Sequence, residues 1–212
     1  MSLLALVEPA EARIVYTRAN KHIRPNTTLT LDLNHDGIAD FNLVLRSFSA
    51  TATFIRSDSL NVRGLARVNE IWGYKTSRNR GYDCAAALPK GTSIGPKSPF
   101  LPGALVMFWA NETDGGGESY CPWGRIGISG SQPPQAYLGL KFWLKEKAHY
   151  GWARLGNINT SQGHASADLT DYAYETIPNK SIIAGKTHGK DEATLGRLAQ
   201  GASAERRTPA AQ

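Results

Sequence analysis

Tyr137-Leu138-Gly139-Leu140-Lys141-Phe142-Trp143-Leu144-Lys145 is the stretch that decides the fold class of this 212-residue chain. Leu138, Leu140, Phe142 and Leu144 fall on one face, and Tyr137, Lys141, Trp143 and Lys145 on the other, a period of two. At helical spacing the same residues would spread around the whole cylinder, so the pattern reads as a strand. A turn at Glu146-Lys147 leads into a second strand from His149 to Leu155. A third runs from Ala165 to Glu175 with Tyr172 and Tyr174 on one face, and Ile182-Ile183-Ala184 is expected to close the sheet.

Working toward the N-terminus, Ala104 to Trp109 is a strongly apolar strand, followed by a turn at Asp114-Gly115-Gly116-Gly117 and a corner at Cys121-Pro122-Trp123-Gly124. Ile14-Val15-Tyr16, Thr27 to Leu33 and Phe41 to Phe48 read as three more strands, with Thr51 to Arg56 and Leu60 to Arg63 as shorter ones. Residues 73–103, rich in Gly, Pro, Ser and basic side chains, read as a long irregular insertion pinned by Cys84. With 21 glycines, 11 prolines and eight tyrosines, the chain favours short strands joined by turns. The expectation is an all-β fold, a single β-sandwich of jelly-roll or lectin-like type over residues 13–185, carrying that insertion.

The flanks read differently. Leu3 to Val7 is a short apolar run, and Ala10-Glu11-Ala12 places small residues at the −3 and −1 positions of a signal-peptidase site before Arg13. Residues 1–12 are therefore read as the remnant of an export signal or a disordered N-terminus. Residues 186–212 contain no aromatic residue and two leucines, the composition of a flexible tail. No stretch reaches the roughly 20 apolar residues of a membrane-spanning helix.

Asp32-Leu33-Asn34-His35-Asp36-Gly37-Ile38-Ala39-Asp40 sets oxygen-bearing side chains at alternate positions with a glycine after the third. Hard cations such as Ca²⁺ demand oxygen ligands at that spacing, and glycine permits the sharp turn. Asp32, Asn34, Asp36 and Asp40 would offer side-chain oxygens and Ile38 its carbonyl, in a weak extracellular site of about 10⁻⁴–10⁻³ M. The twelfth position of an EF-hand falls on Leu43, where a bidentate Glu belongs, so the loop is not an EF-hand. It resembles the short calcium loop of FG-GAP repeats, D-x-N-x-D-G-x-x-D, here in one copy, so no propeller is implied. The alternative is a plain hairpin turning at Asp36-Gly37 with its acids in water.

Cys84 and Cys121 suit one bridge across a long loop in an oxidising compartment. The net charge of +6 would suit an anionic partner. The densest basic stretch, Arg56, Arg63, Arg67, Lys75, Arg78 and Arg80 interleaved with Trp72, Tyr74 and Tyr82, carries no nucleic-acid motif, so nucleic acid is not expected as a partner. The five histidines show no metal-ligand spacing. Asp168, Asp171 and Glu175 are candidates, by count alone, for a pair of glycosidase carboxylates. Tyr137, Trp143, Tyr150, Trp152, Tyr172 and Tyr174 could line a glycan platform on one sheet face, or fill the core.

Three segments together resemble the secreted β-rich bacterial proteins associated with PEP-CTERM sorting tails. These are the strand-loop-strand around Asp32 to Gly37, the pair Leu138 to Phe142 with His149 to Leu155, and Asp171 to Glu175 leading to Ile182-Ile183-Ala184-Gly185. The segment Glu192 to Ala202, ending at Arg206-Arg207, is similar to the sorting signal, but Asp191 and Glu192 stand where its Pro-Glu-Pro element begins, and Arg197 and Gln200 interrupt its apolar run. The likeness implies export and a β-sandwich and carries no catalytic residue. The resulting expectation is a secreted or cell-envelope, calcium-binding protein with a structural, adhesion or matrix role and no catalysis, with extracellular polysaccharide or envelope components as partners. A carbohydrate-binding module is the second reading and a glycan-cleaving enzyme the third.

Overall fold

Leu138, Leu140 and Phe142 are fully buried on one side of their strand, as the alternation demands, and Tyr137 is buried on the other. The computed structural model describes residues 13–50, 55–76, 81–113, 116–125, 135–159 and 165–189. Its strands are β1 (Ile14–Ile23), β2 (Thr27–Leu31), β3 (Phe41–Ala50), β4 (Ile55–Gly64), β5 (Glu70–Lys75), β6 (Asp83–Ala85) and β7 (Ser93–Ile94). They continue as β8 (Phe100–Pro102), β9 (Ala104–Thr113), β10 (Gly116–Tyr120), β11 (Gln135–Leu144), β12 (Lys147–Asn159), β13 (Ser166–Glu175) and β14 (Ile182–Ile183). A single 3-10 turn, Pro122–Arg125, follows β10.

The all-β class is borne out, with twelve strands in one large sheet and β7 and β14 in a second, two-stranded one. Hydrogen bonding follows one path, β1-β13-β12-β11-β5-β6-β9-β4-β3-β2, and with β8 on β5 and β10 on β9 it makes a 12-stranded sheet. Because β1 and β2 are joined by a short turn yet stand at opposite ends of that path, the sheet curls round on itself and is nearly barrel-shaped. Pairing is antiparallel throughout except at Cys84↔Val106, where β6 runs parallel to β9.

Two corrections concern the middle and end of the chain. Residues 73–103 are not a simple insertion: β5 pairs with β11 through Ile71↔Leu140 and with β6 through Tyr74↔Cys84, so this segment joins the two halves of the sheet. Ile182-Ile183 does not close the sheet either. It pairs with β7 in a separate two-stranded ladder.

Burial explains why that ladder exists. The inner core gathers Leu43, Leu45, Leu60, Phe108, Leu138, Phe142 and Leu155 within the curled sheet. A second, outer cluster joins Leu88, Ile94, Tyr137, Tyr150, Trp152, Ala173, Ile182 and Ala184. The strap 86–100, with β7 and β14, therefore covers the outward faces of β11, β12 and β13, which would otherwise present large apolar rings to water. Tails 1–12 and 190–212 lie outside the described residues.

Candidate functional site

The acidic loop runs from β2 to β3 at the seam where the ends of the sheet approach. Its fold follows from short carboxylates capturing backbone N–H groups, the mechanism of Asx turns. Asp32 accepts from the N–H of His35 at 2.7 Å and of Gly37 at 2.9 Å, and Asp36 accepts from the N–H of Ile38 at 2.8 Å. His35 and Gly37 both adopt positive φ, 61° and 84°, which wraps the chain around the Asp32 carboxylate. Asn34 donates its amide to Asp36 at 2.9 Å.

Asp40 closes the loop. Its N–H donates to Leu31 C=O at 2.9 Å and its carboxylate accepts from Leu33 N–H at 2.8 Å. Its own carbonyl accepts from Leu65 N–H at 2.9 Å and from the Asn69 amide at 3.1 Å, which ties the loop to the end of β4. Burial pushes the Asp40 carboxyl up to about 6; the Leu33 hydrogen bond opposes this, and the charges of Asp32 and Asp36 add to it.

One loop residue does something that the sequence did not announce. Thr17 Oγ1 on β1 lies 2.7 Å from His35 Nε2, and the imidazole packs 5.8 Å from the Tyr172 ring of β13. His35 therefore ties the loop across the seam to the far end of the sheet. Sequence spacing does not point to this link, because Thr17 lies 18 residues away on β1 and Tyr172 sits on β13, the strand paired with β1.

As ligands, the five loop residues fit a hard cation in kind, all being oxygen donors. Their carboxylates are turned onto backbone N–H groups, and among the described residues no three His, Cys, Asp or Glu side chains are grouped to hold a metal. Half-buried Asn34 and exposed Asp36 are joined by two hydrogen bonds, the second from Asp36 N–H to Asn34 Oδ1 at 3.3 Å.

The Cys84–Cys121 bridge is present, with Cα atoms 5.6 Å apart. It fastens β6 to the corner after β10, where Cys121 itself takes a positive φ of 64°. Trp123, completely buried beside it, donates its indole N–H to Ala85 C=O at 3.1 Å, so the corner is held by a covalent and a polar link.

The six aromatic residues do not form a platform. Tyr137, Tyr150 and Trp152 are buried in the outer core, and Tyr172 and Tyr174 in the inner one. Trp143 alone is exposed, at 41%. Nor do the three acidic residues of β13 flank a cleft. Asp171 is buried and pairs in two-pronged fashion with Arg154 at 2.5 Å, while also accepting from Tyr16 and Thr170. Asp168 binds His22 at 2.6 Å and Asn157 at 2.7 Å; burial acts upward on its carboxyl, but these partners hold it below the usual range. Glu175 pairs with Lys180 at 3.3 Å.

The basic stretch is likewise broken up. Arg56 is buried against Asp58, whereas Arg63, Arg67 and Lys75 are exposed, and Arg78, Arg80 and His164 lie outside the described residues. No helix among the described residues is long and apolar enough to cross a membrane. Comparison of the chain with protein-family models, curated proteins and solved structures gives no match.

Proposed function

We propose that this chain is a secreted or cell-envelope protein of a bacterium with a structural, adhesion or matrix role and no catalysis, and that its loop 32–40 takes up Ca²⁺ to clamp the seam of the sheet. The observation that carries this reading is the crowding of three carboxylates within one seam loop, enough to help push Asp40 up to about 6. A cation would remove that repulsion. Asp32, Asn34, Asp36 and Asp40 would hold it by side-chain oxygens and Ile38 by its carbonyl, and the ion would supply charge neutralisation only.

The disulfide supports the compartment, since such bridges persist in oxidising surroundings. The lectin-like reading on the six aromatic residues lacks an exposed strip, and the glycosidase reading lacks two free carboxylates in a groove.

Calorimetric titration with CaCl₂ and thermal unfolding in 10 mM Ca²⁺ against EGTA test the reading. For a site of about 10⁻⁴–10⁻³ M, linkage gives a stabilisation of roughly 1.4–2.7 kcal/mol, a melting temperature higher by roughly 3–10 °C. An unchanged melting temperature together with no heat of binding overturns it.

A further inference from the structure

The outer cover leaves an open cleft of about 480 Å³, bounded by Trp72, Ser93, Lys97, Ser98, Asn179 and Ser181, with glycine and proline completing its wall. We propose that this cleft binds a short acidic saccharide, one bearing a uronate or comparable anionic group. None of the residues that line it belongs to loop 32–40, so the site is independent of the calcium reading.

The chemistry of the lining carries the choice. A sugar ring presents an apolar C–H face and a rim of hydroxyls, which calls for a flat ring beside small polar groups. Trp72 supplies the ring, and its indole N–H donates to no group among the described residues. Ser93, Asn179 and Ser181 are exposed and supply hydroxyl and carboxamide groups. No carboxylate lines the cleft, and Lys97, its only charged residue, has no ion-pair partner among the described residues. An unneutralised ammonium in the same cleft as an indole, in a chain of net charge +6, selects an anionic sugar over a neutral one. A nucleotide polyphosphate would ask for several cations, and one is present.

The cleft is also built in advance. Gly95 N–H donates to Ser98 Oγ at 3.0 Å and Ser98 N–H to Gly95 C=O at 2.9 Å, so the loop is a closed turn. A Cβ on Gly95 would stand 1.9 Å from Ser181 Oγ, so the two walls touch at that point. Gly73 N–H donates to Pro99 C=O at 3.1 Å, and Trp72 packs edge-on to Phe100 at 6.3 Å, which in turn stacks on Tyr150 at 5.7 Å. Little ordering is left for a ligand to impose.

Titration of the full chain with trigalacturonate, and with a neutral galactose trisaccharide as control, reads the proposal by calorimetry and by the Trp72 indole N–H resonance, assigned by its loss in Trp72→Phe. The expected result is that trigalacturonate binds at least tenfold tighter than the neutral sugar and shifts that resonance, equally with and without EGTA. Lys97→Ala, at an exposed position, should bring the acidic sugar down to the affinity of the neutral one, and Trp72→Phe should weaken both at least fivefold with the fold intact by circular dichroism. Absence of binding by the unmodified protein at millimolar sugar overturns the proposal. So does an affinity that neither variant changes. Failure of the calcium titration leaves these readouts untouched, so the two proposals fall separately.

Discussion

Asp40 holds a proton more tightly in the folded protein, at about 6, than at its ordinary value of 3.8. The sign of its contribution follows: in metal-free protein it stabilises the fold fully below pH 3.8, and that contribution is lost as the pH rises through about 6. Melting temperature in EGTA should therefore increase on going from pH 7 to pH 5, by an amount equivalent to about 1.3 kcal/mol, roughly half of the full effect. Asp40→Asn keeps an acceptor for Leu33 N–H and removes the charge, so it should flatten this dependence and raise metal-free stability at pH 7. In saturating Ca²⁺ the dependence of the unmodified protein should reverse, because protons then compete with the cation. The same sign with and without Ca²⁺ would show that the ion does not reach Asp40. A second residue tests the outer face: Asp171→Ala removes the partner of Arg154, whose side chain is 28% exposed against 5% for Asp171. Urea unfolding should show a loss of about 3 kcal/mol, and Asp171→Asn, which keeps one acceptor, a smaller one.

Among the elements, the β11–β12 hairpin shows both how far the sequence could be read and where it stopped. Alternation at Leu138, Leu140 and Phe142 revealed the strand because both of its faces are set by local period. The turn falls one residue earlier than Glu146-Lys147: Leu144 pairs with Lys147, so Lys145 and Glu146 make the two-residue connection, at φ of 49° and 61°. Neither residue type favours that region, so nothing in the sequence marked it. Lys145→Asn with Glu146→Gly should stabilise the protein by about 1–2 kcal/mol, read as a shift in the urea midpoint at constant slope; no gain would mean that another contact in the turn offsets the strain. The β13 tyrosines show a second limit. Leu169 and Tyr172 are both buried in the inner core although they are three residues apart, because Thr170 is the extra residue of a bulge between Leu155↔Leu169 and Arg154↔Asp171. A bulge reverses the parity of every later side chain, and it is dictated by the partner strand, so period-two reading could not assign faces to Asp171 and Tyr172. The short strands β5, β6 and β8 escaped for a related reason. Three residues such as Asp83–Ala85 hold no periodicity, and their pairing with β5 and β9 is non-local. The oxygen spacing of 32–40 and the cysteine pair, by contrast, were legible because each is a matter of residue type at fixed intervals.

At the scale of the molecule, β11, β12 and β13 place buried side chains in both cores, whereas β7 and β14 touch the outer core alone. Opening the cover exposes Tyr137, Tyr150 and Trp152 but leaves the curled sheet hydrogen-bonded, so the two parts should come apart at different free energies. Native-state hydrogen exchange should find the slowest amides at Leu138 to Phe142 and Gly151 to Leu155, exchanging only by global unfolding, and faster exchange at Ile94 and Ile182 by partial opening. The disulfide makes this partition testable. Cys84 lies in β6, the joint between the halves of the sheet, and its bridge closes 37 residues of sequence separation that include β7, β8 and β9. Removing it should cost roughly 3–4 kcal/mol of global stability in the chain-entropy account. The Cys84→Ala/Cys121→Ala protein should then lose protection in β11 and β12 by that amount, while the difference between global unfolding and opening of the cover narrows. If cover and sheet instead exchange at one free energy, before and after the bridge is removed, the strap is an integral part of a single cooperative unit, and the cleft it forms is as rigid as the sheet beneath it.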